Sequence, residues 1–173
     1  MPTYTQIGTA QVVGSGGAAS MSFSSIPSTY TDLVIKISAR TNRASAVDSL
    51  GFYFNGDTTV ARYTGRVLYG TGTSVASNAP NPVNDETMFI SGNSATASTF
   101  GNTEMYIPNY AGSNQKSSSI DSVGENNATT ARMDIAATLY NQTTAITSIT
   151  IIPITGTLLQ EYSTAYLYGV SNA

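Results

Sequence analysis

Between Thr143 and Gly169 the chain reads TTAITSITIIPITGTLLQEYSTAYLYG, two β-type runs on either side of a polar turn. In the first run Ile149 and Ile151 share one face while Ile152 and Ile154 share the other, so both faces carry apolar side chains, as in a buried central strand. In the second, Thr164, Tyr166 and Tyr168 alternate with Ala165, Leu167 and Gly169, the period of two that a half-covered strand shows. A helix repeats every 3.6 residues and would scatter both patterns around its axis. The segment is therefore extended chain that closes a β-sandwich, and a strand this near the end ties that end into a sheet. Residues 171–173 are expected to be a stub.

The same period runs through the rest of the sequence. Thr9 to Val13 and the Met21/Phe23 run flank Gly14-Ser15-Gly16-Gly17 and read as an opening hairpin. Ser25 to Thr31 is a loop, because Pro27 removes a donor and restricts Ile26 before it. Leu33, Ile35, Ile37 and Ala39 then take one face and Val34, Lys36, Ser38 and Arg40 the other, a strand with one buried side. Leu50, Phe52 and Phe54 form a second strong strand; Asn55-Gly56 supplies a turn with positive φ, and Val60 to Tyr69 is expected to return as its partner. Gly70 to Asp85 has almost no large apolar residue and reads as a long functional loop.

Met88 to Ile90 makes a short strand. Glu104 to Tyr110 makes another, which Pro108 marks as an edge or a bulge. Lys116 to Val123 and Arg132 to Tyr140 are joined by the polar stretch Gly124 to Thr130, with Met133, Ile135, Ala137 and Leu139 on one face of the second run. No segment keeps a period of 3.6 with caps. The expectation is an all-β, antiparallel β-sandwich of eight to ten strands with little or no helix, one domain over residues 1–173, and residues 1–8 as an extended N-terminal arm.

Composition narrows the chemistry. The chain has 173 residues with no cysteine and no histidine, so Ser/His/Asp and Cys/His nucleophilic catalysis and thiolate metal sites are excluded by residue type. Ten acids remain for a glycosidase pair: Asp32, Asp48, Asp57, Asp85, Glu86, Glu104, Asp121, Glu125, Asp134 and Glu161. Most fall in turns or at strand ends, where acids cap and solvate. Calcium would need several oxygen ligands at close spacing, and no EF-hand-like run of acids appears; Asn84-Asp85-Glu86 or Asn55 with Asp57 could contribute to an opportunistic site, but turn chemistry explains both more simply. Gly14-x-Gly16-Gly17 and Gly70-x-Gly72 lack the helix and the Lys-Ser/Thr of a phosphate loop. We expect no catalytic, cofactor-binding or metal-ligating residues and no cofactor.

Seven basic residues against ten acids have the wrong sign for nucleic acid, so Arg40, Arg43, Arg62 and Arg66 are expected in interface salt bridges or in solvent. No apolar run is long enough to cross a bilayer, and the N-terminus lacks the features of a signal peptide, so a cytoplasmic origin without membrane contact is expected. The sequons at Asn127 and Asn141 then carry no weight. Only 10% of residues are charged, and the surface must be rich in hydroxyls, which suits packing against copies or partners. Tyr63, Tyr69 and Tyr110 are the aromatic candidates for sugar contact, against packing roles with the hydroxyl at the surface.

Four stretches, in order, carry a resemblance to a known group: Tyr30-Thr-Asp-Leu-Val-Ile-Lys-Ile-Ser-Ala-Arg40; Phe54-Asn-Gly-Asp57 with Tyr63; Ile107-Pro-Asn-Tyr110 with Lys116; and Ala145-Ile-Thr-Ser-Ile149 with Tyr166-Leu-Tyr-Gly169. In these the chain resembles the small β-rich virion proteins of tailed bacteriophages. Many members carry a tryptophan and a Gly-Ser where this chain has Tyr140 and Tyr162-Ser163. The resemblance implies a jelly-roll-like sandwich acting as a capsid decoration (cement) protein on the outer capsid surface, a homotrimer bound to the major capsid protein and assembled in the host cytoplasm. The alternative it implies is a tail fibre or tailspike domain that binds host glycan. The candidate contacts are Met1 to Gly8 and the Gly70 to Asp85 loop.

Overall fold

The computed structural model, which describes residues 3–80, 87–127 and 130–171, turns these runs into two antiparallel sheets packed as a sandwich. In chain order the strands are β1 (Thr3–Gln6), β2 (Gln11–Val12), β3 (Met21–Phe23), β4 (Asp32–Ala39), β5 (Val47–Phe54), β6 (Tyr63–Gly70), β7 (Val75–Asn78), β8 (Met88–Ser91), β9 (Gly101–Pro108), β10 (Lys116–Gly124), β11 (Arg132–Tyr140), β12 (Ile149–Pro153) and β13 (Thr164–Ser171). The larger sheet runs β1-β13-β4-β9-β10-β11-β6-β7, with β2 also on β13; the smaller runs β3-β12-β5-β8. Among the described residues the helical structure is a single 3-10 turn, Val60–Arg62.

The strand count exceeds eight to ten because the short edge strands β1 and β7 have too few large apolar residues to register as period two. The core lies between the sheets. Leu33, Ile35 and Ile37 of β4, Met105 and Ile107 of β9 and Leu167 of β13 meet Leu50, Phe52 and Phe54 of β5 and Ile149 and Ile151 of β12. All are removed from water, and each such side chain contributes about 1.5–3 kcal/mol relative to exposure. Strand β12 is central in its sheet, as its isoleucines require, but Ile152 and Ile154 on its far face are only half-buried.

Three local expectations are corrected. The Gly14–Gly17 turn does not close a hairpin: β2 pairs with β13 and β3 with β12, so the chain switches sheets there. The Asn55-Gly56 turn has positive φ at both residues, yet β5 pairs with β12 and β8 while β6 pairs with β11 and β7. The cause is long-range bonding. The Asn55 side-chain oxygen accepts from the N–H groups of Thr147 and Ser148, and its amide donates to the Ala145 carbonyl. Finally, Pro108 ends a strand interior to the larger sheet rather than an edge. There the next N–H, that of Asn109, goes to the buried carboxylate of Asp32 at 2.8 Å.

A polar knot fastens the β5 to β6 crossover. Asp57 accepts from Arg62 at 2.6 Å, from the Tyr140 hydroxyl at 2.8 Å and from the N–H of Thr59. Burial opposes its ionisation, but these donors outweigh burial and hold the carboxyl well below the usual carboxylate range. A depressed folded pKa adds stability that is present above the unfolded value near 4 and is lost as pH falls through the folded one. We therefore expect Asp57→Asn to lose about 1.5 kcal/mol at pH 7. The gap to wild type should shrink steadily below pH ~4, as read from urea unfolding at a series of pH values. A gap that stays constant would show that the carboxylate charge is not what holds the turn.

Candidate functional site

The run Met133, Ile135, Ala137, Leu139 looks in sequence like the buried side of β11. It is the outer side. The face of β11 turned toward the core carries Asp134, Ala136, Thr138 and Tyr140, and Asp134 continues a buried row with Ser122 of β10 and Thr103 of β9. Burial pushes the Asp134 carboxyl up against the opposing pull of Arg132, whose guanidinium bonds it at 2.6 Å. That guanidinium is itself sandwiched over the Tyr69 and Phe89 rings at 3.8 and 3.5 Å. With the inner positions taken by this polar row, the apolar side chains of β11 face outward.

The register then gathers them. Ile135 lies opposite Leu68 of β6, Met133 opposite Gly70, and Gly70 opposite Val75 of β7, with Val123 of β10 on the other side of Met133. Ile135 is 55% exposed, Leu68 51%, Met133 54% and Val75 75%. One patch on one end of the larger sheet thus holds four of the exposed large apolar side chains. A cleft of about 630 Å³ borders it, lined by the Gly70–Val75 turn, Val123, Glu125 and Ala131 to Met133. Single exposed aliphatics are ordinary, but a contiguous group rimmed by polar residues marks a contact surface.

The Gly70 to Asp85 stretch, expected as an irregular loop, contributes to this patch in a more ordered form. Thr71 N–H donates to the Ser74 carbonyl at 3.0 Å, closing a tight turn, and β7 pairs with β6 from Val75 to Asn78. Residues 81–85, together with Asn84-Asp85-Glu86 and most of the Asn127 sequon, lie outside the described residues. The segment expected as an N-terminal arm is, from Thr3 to Gln6, an edge strand on β13, and Ile7 is buried.

The sugar-contact tyrosines are core residues. Tyr63 and Tyr110 are buried, Tyr69 is half-buried under Arg132, and Tyr63 stacks on Tyr140 with ring centroids 4.8 Å apart. The Tyr63 hydroxyl accepts from the Phe54 N–H and donates to the Asp57 carbonyl; that of Tyr110 donates to the Pro27 carbonyl. The exposed tyrosines are instead Tyr4, Tyr106 and Tyr162. Tyr162, with φ of 70°, rims a cleft of about 430 Å³ shared with Asn93, Phe100, Gln160 and Glu161.

Of the four arginines expected in interface salt bridges or in solvent, Arg66 is in solvent and the other three bond within the chain. Arg40 is buried and has backbone carbonyls, not a carboxylate, around its guanidinium. Arg43 pairs with buried Asp48 and Arg62 with Asp57, both within the chain, while Arg66 is exposed on the outer face beside the apolar patch. Lys116 is fully buried, its ammonium donating to the carbonyls of Gly112, Asn114 and Thr143, and burial lowers its pKa. Of the described acids, Asp121 and Glu104 are cross-strand neighbours on β10 and β9, with Glu104 paired to Lys36 at 2.8 Å, and the others lie on separate turns and strands. Among the described residues no group of three or more acids converges as a metal site would require. No family model, curated protein or solved structure matches the chain.

Proposed function

We propose that this chain is a virion structural protein, a capsid decoration protein that lies on the outer surface of a phage head and bridges neighbouring capsomers. The observation that supports this most is the outward-facing apolar patch of β11, β6 and β7, a surface that gains from being covered. The hydroxyl-rich, weakly charged exterior agrees, as does the order of motifs shared with small phage virion proteins. In this reading the sandwich is jelly-roll-like, copies associate as trimers, and the major capsid protein is the main partner. Attachment comes from burial of apolar and tyrosine-rich surface over many repeated contacts, so that modest affinity per contact gives lasting occupancy.

A second reading, a tail fibre domain that binds host glycan, is favoured by one feature: exposed Tyr162 with Asn93, Gln160 and Glu161 at one cleft mouth, an aromatic platform beside polar side chains. The two separate by position on the particle. Phage assembled with gold-labelled protein and viewed by electron microscopy should show label over whole heads, and Ile135→Glu should strip it. Label confined to tail tips would overturn the decoration reading in favour of the glycan one.

A further inference from the structure

The outer face of β10, β11, β6 and β7 is a small grid whose positions follow from the strand register. One row holds Asp121, Ile135, Leu68 and Ser77; the next holds Val123, Met133, Gly70 and Val75; the row on the other side holds Ala137 beside Arg66. Two properties of this grid are not explained within one chain. The first is its symmetry. A two-fold axis parallel to the strands, midway between β11 and β6, exchanges β11 with β6 and β10 with β7. It carries Ile135 onto Leu68, Met133 onto Gly70 and Val123 onto Val75, so every apolar position meets an apolar or empty one.

The second property is Gly70. Its backbone is outside the left-handed region, and a Cβ added there would meet nothing nearer than Met133 Cγ at 3.8 Å. The chain itself does not need a glycine at this place, and glycine within a strand weakens it while marking close approach by another group. The charged residues of this face border the patch. Asp121 flanks the patch on β10 and Arg66 flanks it on β6, both exposed, and Arg66 takes part in none of the chain's own ion pairs among the described residues. The exchange lays Asp121 over the partner's Ser77 and Arg66 over the partner's Ala137, so both charged side chains fall at the rim of the contact.

We infer that this face is a two-fold contact with a second copy of the chain, in which Ile135 packs on the partner's Leu68, Met133 seats over the partner's Gly70, and Val123 meets the partner's Val75. Stacked aligned sheets about 10 Å apart give this geometry room. The apolar side chains expose on the order of 400 Å², about half of the ~800 Å² per partner that a standard interface covers, and the polar rim supplies the rest. The inference gives to a second copy the same face that supports the capsid reading, and the test below separates the two.

The test is the molar mass of the purified full chain at about 50 µM by light scattering. An even number of chains is expected, with loss of the pairing in Ile135→Glu and in Gly70→Leu, both keeping a wild-type far-UV spectrum. A monomeric or strictly trimeric wild type overturns the inference, as does a Gly70→Leu variant that pairs as the wild type does. A monomer that binds heads through Ile135 would assign the face to the capsid instead. A pair that never reaches the head would leave this contact standing and remove the decoration reading.

Discussion

Gly169→Ala is expected to destabilise the fold by about 3 kcal/mol and to lower Tm by roughly 6–12 °C. Gly169 lies in β13 opposite Leu33 of β4 and Thr5 of β1, and the Tyr30 ring covers it. A Cβ there would fall within 3.0 Å of three ring carbons, the nearest being Cγ. That atom is the root of the ring, so turning the ring about its Cβ–Cγ bond leaves the clash in place, and relief requires the Tyr30 side chain to leave its packed position or β13 or the loop before β4 to move. A double-mutant cycle with Tyr30→Ala isolates the cause. If the clash is responsible, the alanine at 169 costs far less in the Tyr30→Ala background. A cost below ~0.5 kcal/mol in the wild-type background would show that the ring is not held where the structure places it.

The second large effect is expected at Arg40, where methionine should cost about 3 kcal/mol and lysine roughly half as much. The guanidinium donates to the carbonyls of Asn93, Ala95, Thr96 and Thr99 at 2.8 to 3.1 Å and to the Thr99 hydroxyl at 3.2 Å. These five contacts fold residues 93–99 around one cation, with no carboxylate sharing the charge. Methionine fills the volume but donates nothing, leaving several carbonyls to find water or go unbonded. Lysine keeps the charge but lacks the planar fork that reaches both ends of the loop. Hydrogen exchange should report the loss first at residues 93–99. Equal exchange in wild type and Arg40→Met would count against this role.

Individual strands were legible because their information is local. In β4 the alternation alone places the four inward residues and the exposed Lys36, although Asp32 and Val34 on the other face are buried as well, so the strand has more than one buried side. Pairing was not legible where a turn switches sheets. Asn55-Gly56 specifies positive φ, but the direction in which the chain leaves is set by the Asn55 amide bonding residues about ninety positions away. Buried cations were missed for a related reason: Arg40 and Lys116 are solvated by backbone carbonyls, which leave no mark in side-chain identity. The candidate site was half legible. The apolar row of β11 stood out, but its outward direction depends on Asp134, Ser122 and Thr103 forming one inner row across three strands, a relation visible only once register is known.

The pairing of β1 with β13 sets Thr3 directly opposite Ser171, so the two described ends of the chain leave from one edge of the larger sheet. The strand order puts β7 at the opposite edge, seven strand spacings away, or roughly 34 Å at ~4.8 Å each. In engineering terms the molecule is a ring with a small gap. A peptide or enzyme fused at either end would project far from the apolar patch, and a short linker could join the ends so that the backbone is reopened in the loop between β10 and β11. Cargo attached there, by contrast, would sit beside Met133 and hide the patch, so the choice of attachment point decides whether a fusion still associates.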